Sequence, residues 1–319
     1  MPQANVRVIV ITGASSGIGR ATAHAFAREG VSLVLAARSA ETLESVVSEC
    51  KALGARAFAV PTDVTDAEAV QALARTAISR LGHIDVWFNN VGVGTVGRFE
   101  DTPMPAHRRV IEANLLGHMH GAHAVMPHFR QRGRGTLINM ISLGGLVSAP
   151  YAGSYVASKF GLHGFTESIR AEVSDLPDVH VCAIYPAFVD TPGVGHGANY
   201  SGRRLRPPPP LIDPRRVAQA VVSLVRKPRN TVTLGAPALP GRLAHALAPD
   251  LLGRATRWLM DASLARAAPA AQGDGNLFEA SAGHAVDGGF RRPVPATALA
   301  IGALALGAAV MLARARRRD

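Results

Sequence analysis

Apolar, β-branched runs alternate with helical patterns through the first 235 residues, and this alternation constrains the fold more than any other feature. The runs lie near residues 6–11, 33–36, 57–60, 84–88, 136–140, 179–184 and 231–234. Helical stretches lie between them, for example at 17–28, 41–53, 67–81 and 153–174. Strand, helix, strand repeated in this way predicts a parallel sheet with helices on both faces. Right-handed crossovers make it a doubly wound, Rossmann-type α/β fold. Beyond about residue 235 the rhythm is gone and Ala, Arg, Leu and Pro dominate, which predicts a helical C-terminal extension.

The length of 319 residues suits one α/β domain with an appendage, and 48% hydrophobic residues suffice for a sizeable core. The two cysteines, Cys50 and Cys182, have no metal-ligand spacing. They suit a reducing intracellular compartment and imply no disulfide framework. The opening MPQANVRVIVITG runs into an apolar strand without a charged n-region or a small-residue cleavage site, which argues against a secretory signal. The net charge of +11 suggests nucleic acid at first sight, but its distribution argues otherwise. Residues 1–200 hold 16 basic and 16 acidic side chains, whereas residues 201–319 hold 18 and 7. No stacking aromatics accompany the surplus, so an anionic cofactor or an anionic membrane surface fits it better than nucleic acid.

The first strand ends in Thr12-Gly13-Ala14-Ser15-Ser16-Gly17-Ile18-Gly19, and a helical pattern follows. Glycines let the backbone turn sharply and approach a pyrophosphate, whose charge then sits at a helix N-terminus. A tight strand-to-helix turn needs glycine for steric reasons too. The position directly after the first strand favours the nucleotide reading.

With these residues the sequence resembles the short-chain dehydrogenase/reductase family over about residues 5–235. TGASSGIG matches the family's cofactor loop, including Gly13, Ser15, Ser16, Gly17, Ile18 and Gly19. Asn89-Asn90-Val91-Gly92 resembles its NNAG signature with Val in place of Ala, and so places Asn90 and Gly92 beside the cofactor. Asn114, Ser142, Tyr155 and Lys159 match the family's catalytic tetrad in order and spacing. Pro186-Ala187-Phe188-Val189-Asp190-Thr191 resembles its P-G-x-V-x-T segment, with Ala where Gly is usual; Pro186, Val189 and Thr191 would touch the cofactor. Asp63-Val64 resembles its adenine contact, although Asp63 could equally cap the helix that follows.

The tetrad also makes sense from its chemistry. Tyr155 and Lys159 stand four apart on a predicted helix, hence on one face. A free tyrosine titrates near pH 10, and a nearby ammonium would favour the phenolate. The chain has only three lysines, Lys51, Lys159 and Lys227, in its 34 basic residues, so a lysine here is not a by-product of composition. The resemblance implies that Ser142 polarises the substrate oxygen and Asn114 anchors a water relay to Lys159. It also implies hydride transfer between a nicotinamide and a carbonyl or secondary alcohol. Cofactor choice rests on the end of the second strand, Ala36-Ala37-Arg38. An acid there would bind a ribose 2′-hydroxyl and repel a phosphate; Ala37 takes its place and Arg38 can pair with phosphate, so NADP(H) is expected.

The expected division is thus 1–235 for cofactor and catalysis, 236–290 as a helical or irregular extension, and 291–319 as a hydrophobic segment with basic flanks. Within the last, residues 294–313 are uncharged and, as a helix of about 30 Å, would match a bilayer core. This favours membrane association with the catalytic domain facing the cytoplasm, and a lipophilic substrate. Spanning, lying flat and packing on protein all stay open, as does a homo-oligomer. The upstream stretch 242–268, with Leu243, Leu247, Leu251, Trp258 and Leu264, is expected to lie on the same surface or roof the pocket. The glycine- and proline-rich loop 190–210, carrying His196, Tyr200, Arg203 and Arg204, is read as a mobile substrate lid. His107, His118, His120 and His123 lack a carboxylate to complete a metal set, so no metal is expected. The rival classes are an NADP(H)-binding sensor, which would not need the Tyr-Lys pair, and an epimerase or dehydratase with a larger substrate domain.

Overall fold

A computed structural model describes residues 6–235, 238–281 and 284–291. Seven parallel strands form the main sheet in the order β3-β2-β1-β4-β6-β7-β9. They are β1 (Val8–Thr12), β2 (Ser32–Ala37), β3 (Arg56–Pro61), β4 (Val86–Asn89), β6 (Arg134–Met140), β7 (Asp178–Pro186) and β9 (Thr231–Leu234). All seven expected strands are present. A second, two-residue pairing joins β5 (Thr95–Val96) to β8 (Ala198–Asn199). It was not legible, because two residues carry no periodicity.

Helices cover both faces, as expected. On one side α1 (Gly17–Ala27), α2 (Ala40–Ala52) and α8 (Pro214–Arg226) bury Phe26, Leu43, Val46, Val217 and Val221 against Ile9, Ile11, Leu33 and Leu35. On the other, α3 (Ala67–Leu81) and α5 (Gly117–Arg132) set Val70, Leu73, Val125 and Phe129 against Val10, Val34 and Leu137. Neighbouring residues of one strand thus point into opposite cores, so a central strand buried on both faces reads as a continuous apolar run. Three of these helices start on side-chain caps: Ser39 accepts from Thr42 N, Asp66 from Glu68 N and Ala69 N, and Asp213 from Arg215 N. The cap of α3 is therefore Asp66, not Asp63.

Of the remaining helices, α6 (Gly153–Glu172) also packs on this second face, through Phe165 and Ile169. Between α4 (Met104–Ile111) and α5 the backbone widens into a π-helical turn, Glu112–Leu116, that holds Asn114. A short 3₁₀ turn, Leu143–Gly145, precedes α6 (Gly153–Glu172), and α7 (Gly193–His196) precedes β8. After β9 come α9 (Ala238–Leu247) and α10 (Pro249–Arg266), the expected helical extension. The chain then returns across the strand ends, bridging Arg203 to Pro269 and Asn199 to Gly273.

The strand order reverses between β1 and β4, and a crevice opens there at the carboxyl ends, where doubly wound sheets hold their ligands. No helix among the described residues is long and apolar enough to cross a membrane. The stretch 294–313, read from sequence as a membrane segment, lies outside the described residues.

Candidate active site

The crevice is a cavity of about 670 Å³ that runs from the glycine loop to α10. Thr12 ends β1, and its hydroxyl accepts from Asn90 N at 3.1 Å. Asn90 Nδ2 in turn donates to the carbonyls of Thr12 and Gly13, both at 3.2 Å. The loops after β1 and β4 are therefore locked together. Gly13 (φ +65) and Gly17 (φ +53) adopt backbone conformations that favour glycine. A Cβ on Gly19 would lie 2.0 Å from the Gly13 carbonyl oxygen, so α1 approaches the loop as closely as it does only because Gly19 has no side chain. The first turn of α1 carries no acidic residue. Ser16, Gly17 and Ile18 at its start line the cavity, with Gly13 and Ser15 beside them. This cradle fits an anionic pyrophosphate.

At the other end of the cavity stand Ser142, Tyr155 and Lys159. Tyr155 and Lys159 occupy successive turns of α6, with Lys159 Nζ 5.9 Å from the Tyr155 ring centre. Lys159 is 2% exposed and donates to the Met140 carbonyl at 3.0 Å. Burial lowers its pKa to about 7, which weakens its hold on the proton near neutrality. Burial also pushes the Tyr155 phenol up, against a smaller downward pull from the Ser142 hydroxyl. The expected lowering of Tyr155 by a full ammonium is thus not met in the free protein. The same desolvation acts on both groups.

Asn114 is placed differently from the other three. It is fully buried behind the cavity wall, with Oδ1 accepting from Val93 N at 2.8 Å and Nδ2 donating to Val93 O at 2.9 Å and Ser158 Oγ at 3.1 Å. Its side chain braces the segment after β4 against α6. Any part it takes in a water relay falls to its main chain.

The cofactor residues taken from the family motifs line the same cavity, with one exception. Asn90, Gly92, Pro186, Val189 and Thr191 form its floor and flank, and Arg38, Asp63 and Val64 its far end. Gly19 does not line it but packs beneath Gly13. At the far end Asp63 accepts from Thr65 N at 3.0 Å and pairs with Arg109 Nη2 at 2.6 Å. Burial alone would raise the Asp63 carboxyl, but these hydrogen bonds together hold it below its ordinary pKa.

Sequence reasoning missed Arg109 and the whole of residues 276–281. Arg38 donates to the carbonyls of Asn276 at 2.7 Å, Leu277 at 3.1 Å and Glu279 at 2.9 Å, and Arg109 Nε to that of Leu277 at 2.9 Å. Leu277 is fully buried against Val93, Val110 and Ala113. No sequence signal marks this return, since backbone carbonyls are present at every residue.

The loop 190–210 is held more firmly than its composition suggests. Ala198–Asn199 pairs with β5, and the Tyr200 hydroxyl donates to Asp274. The helix α10 contributes Thr256 and Met260 to the cavity while leaving Leu251, Trp258 and Leu259 exposed, so this extension both roofs the pocket and offers an apolar outer face. The four histidines are engaged locally: His107 with Ser154 and Phe99 O, His118 with Val91 O, His120 with Val64 O and His123 with Gln71. Burial takes the pKa of His118 down to about 3, so it is neutral.

Comparison with known proteins agrees with this fold. Residues 7–198 match the short chain dehydrogenase family. The chain is 37% identical over 257 residues to the uncharacterized oxidoreductase YxnA of Bacillus subtilis, covering 80% of this chain and 72% of that protein. It is 33% identical over 230 residues to a cyclohexanol dehydrogenase of an Acinetobacter species, covering 72% and 91%. Among solved structures, an alcohol dehydrogenase of the archaeon Thermococcus sibiricus, complexed with 5-hydroxy-NADP, superimposes with a TM-score of 0.64 at 31% identity over 72% of this chain and 96% of that one. A short-chain dehydrogenase of Streptomyces avermitilis gives 0.67 at 29% identity over 81% and 97%. Glycine loop, strand order and matched length lead to one conclusion: the chain belongs to the short-chain dehydrogenase family of oxidoreductases.

Proposed function

We propose that this oxidoreductase is an NADP(H)-dependent enzyme that interconverts a lipophilic carbonyl compound and its secondary alcohol. The observation that carries the proposal is that Ser142, Tyr155 and Lys159 share one cavity with the glycine loop and Arg38. When bound, the nicotinamide ring supplies or takes up the hydride. The chain's own residues handle the oxygen. The Ser142 hydroxyl holds it, and the Tyr155 phenol gives or takes its proton. Lys159, titrating near neutrality and fixed on Met140 O, resupplies Tyr155. Arg38 holds the 2′-phosphate, supported by the absence of an acid at Ala37.

The substrate end of the cavity is walled by Val96, Leu143, Val147, Phe188, Leu205 and Met260, which favours an apolar substrate. The exposed Leu247, Leu251, Trp258 and Leu259 beside Arg254 and Arg257 favour a lipid surface as its source, together with the uncharged stretch 294–313. The test is an NADPH-absorbance screen of ketones and aldehydes on the wild type and Tyr155→Phe. Turnover lost in the variant, with NADPH affinity kept within a few-fold, is expected because only the transferable proton is removed. Substantial turnover in Tyr155→Phe would move the acid/base role to another group.

A further inference from the structure

We propose that residues 274–281 and 284–291 form an internal ligand of the cofactor cleft, a strap whose backbone carbonyls hold the phosphate-binding groups until NADPH displaces them. The inference rests on the NADP(H) reading of the cleft and adds a discriminating element to it. Three carbonyl oxygens, of Asn276, Leu277 and Glu279, occupy three of the N–H donors of Arg38. A fourth, of Ala285, accepts from Gly17 N at 3.0 Å, in the first turn of α1. The strap thus takes the donors at both places where a dinucleotide carries negative charge.

It is clamped at its ends. Asp274 accepts from the Tyr200 hydroxyl. The buried carboxylate of Asp190 accepts from Phe290 N at 2.9 Å and from Arg291 N and Nε at 3.2 and 3.1 Å. Between the clamps, Leu277 fills the apolar cluster that also supports Tyr155. The fit is imperfect there, since Asn276 Oδ1 is buried without a hydrogen-bond partner. That uncompensated burial lowers the cost of opening the middle of the strap.

A phosphate offers a guanidinium opposite charge and paired oxygens, where a carbonyl offers a single neutral acceptor. A 2′-phosphate can therefore replace the strap carbonyls on Arg38. NADH has no such group and leaves that latch closed. The strap makes cofactor choice depend on a competition as well as on direct attraction.

Hydrogen exchange of the full chain, free and with saturating NADPH or NADH, tests this, with dinucleotide binding followed separately by fluorescence. In the free protein Asn276 N donates to His196 O and Leu277 N to Asp274 O, so both amides report the closed state. NADPH is expected to speed their exchange about tenfold and NADH to leave it near the free value. Leu277→Ala, which loosens the strap outside its phosphate contacts, is expected to speed NADPH association about tenfold. Saturable NADPH binding with equal or greater protection of these amides overturns the strap and leaves the reading of the cleft intact. Equal opening by NADH overturns Arg38 as the latch. A folded Leu277→Ala that binds NADPH at the wild-type rate also overturns the strap, and failure of NADPH to bind overturns both readings.

Discussion

Gly19→Ala isolates the cradle from every other part of the site. The added Cβ would stand 2.0 Å from the Gly13 carbonyl oxygen and 2.8 Å from the Gly13 carbonyl carbon and from Asn90 Nδ2. A carbon–oxygen contact settles at about 3.3 Å, so loop and helix must separate by about 1.3 Å. Two of the obstructing atoms are backbone, and Asn90 is fastened to both Thr12 O and Gly13 O, so no side chain can swing aside to relieve the clash. Overpacking of this kind costs about 1–3 kcal/mol of stability. A misplacement of about 1 Å at a preorganised site costs on the order of 100-fold, and NADPH affinity should fall by that order. Gly164→Ala is the control. It lies on the exposed face of α6 with nothing within 4 Å of the new Cβ. There the same substitution should stabilise by about 0.5–1 kcal/mol through helix propensity alone. Urea denaturation and a fluorescence titration with NADPH separate the two effects. A folded Gly19→Ala protein with wild-type NADPH affinity would show that the loop does not cradle the phosphates.

Lys159→Met should raise thermal stability at pH 7 while abolishing turnover. The folded pKa of about 7 lies below the ordinary 10.5, so the unfolded chain holds more protons between those values and wild-type stability climbs with pH across that window. The variant should lose that climb, and equal pH slopes of the melting temperature in the two proteins would refute the assignment. Arg38→Ala should weaken NADPH roughly tenfold to a hundredfold, the worth of a charged hydrogen bond of about 1.5–3 kcal/mol, without weakening NADH. Equal losses for both cofactors would remove Arg38 from the 2′-phosphate. Truncation should be made after Arg291, because that residue is tied to Asp190, Asp213 and Asp287. Loss of residues 292–319 is expected to release the protein from sedimenting membranes with its NADPH binding intact, and a full-length protein that stays in the supernatant without detergent refutes the membrane reading.

The fold was legible because its determinants are local and repeated. Each central strand, buried on both faces, writes a continuous apolar run such as Val8–Thr12, and each glycine position in the first loop answers to a specific backbone need. The α6 pair was legible for the same reason: a spacing of four on a helix fixes relative placement before anything else folds. Asn114 shows where motif transfer thins out. The motif gives its position, but its side chain is spent on Val93 and Ser158, a role that follows from the π-helical turn and that spacing does not encode.

The strap was illegible for a reason that bears on how the surplus charge should be read. Its acceptors are main-chain carbonyls, and their partners lie far away in sequence, Arg38 238 residues from Asn276 and Arg109 168 residues from Leu277. Nothing in the residue types at 276–285 announces such a contact. The basic excess of residues 201–319, assigned from sequence to an anionic cofactor or membrane, is likewise spent in part within the fold. Arg215 and Arg291 form a network with Asp213 and Asp287, and Arg291 also reaches the buried Asp190. Exposed pairs of this kind add little stability singly, but Asp190 is almost fully buried and takes two backbone amides as well as the guanidinium. Arg291, which the sequence offers as the flank of a hydrophobic stretch, is thereby the bolt that fixes the end of the strap beside Thr191. The charge of the extension thus has two uses, and exposed Arg254 on α10 is among the side chains that remain to meet an external anionic surface.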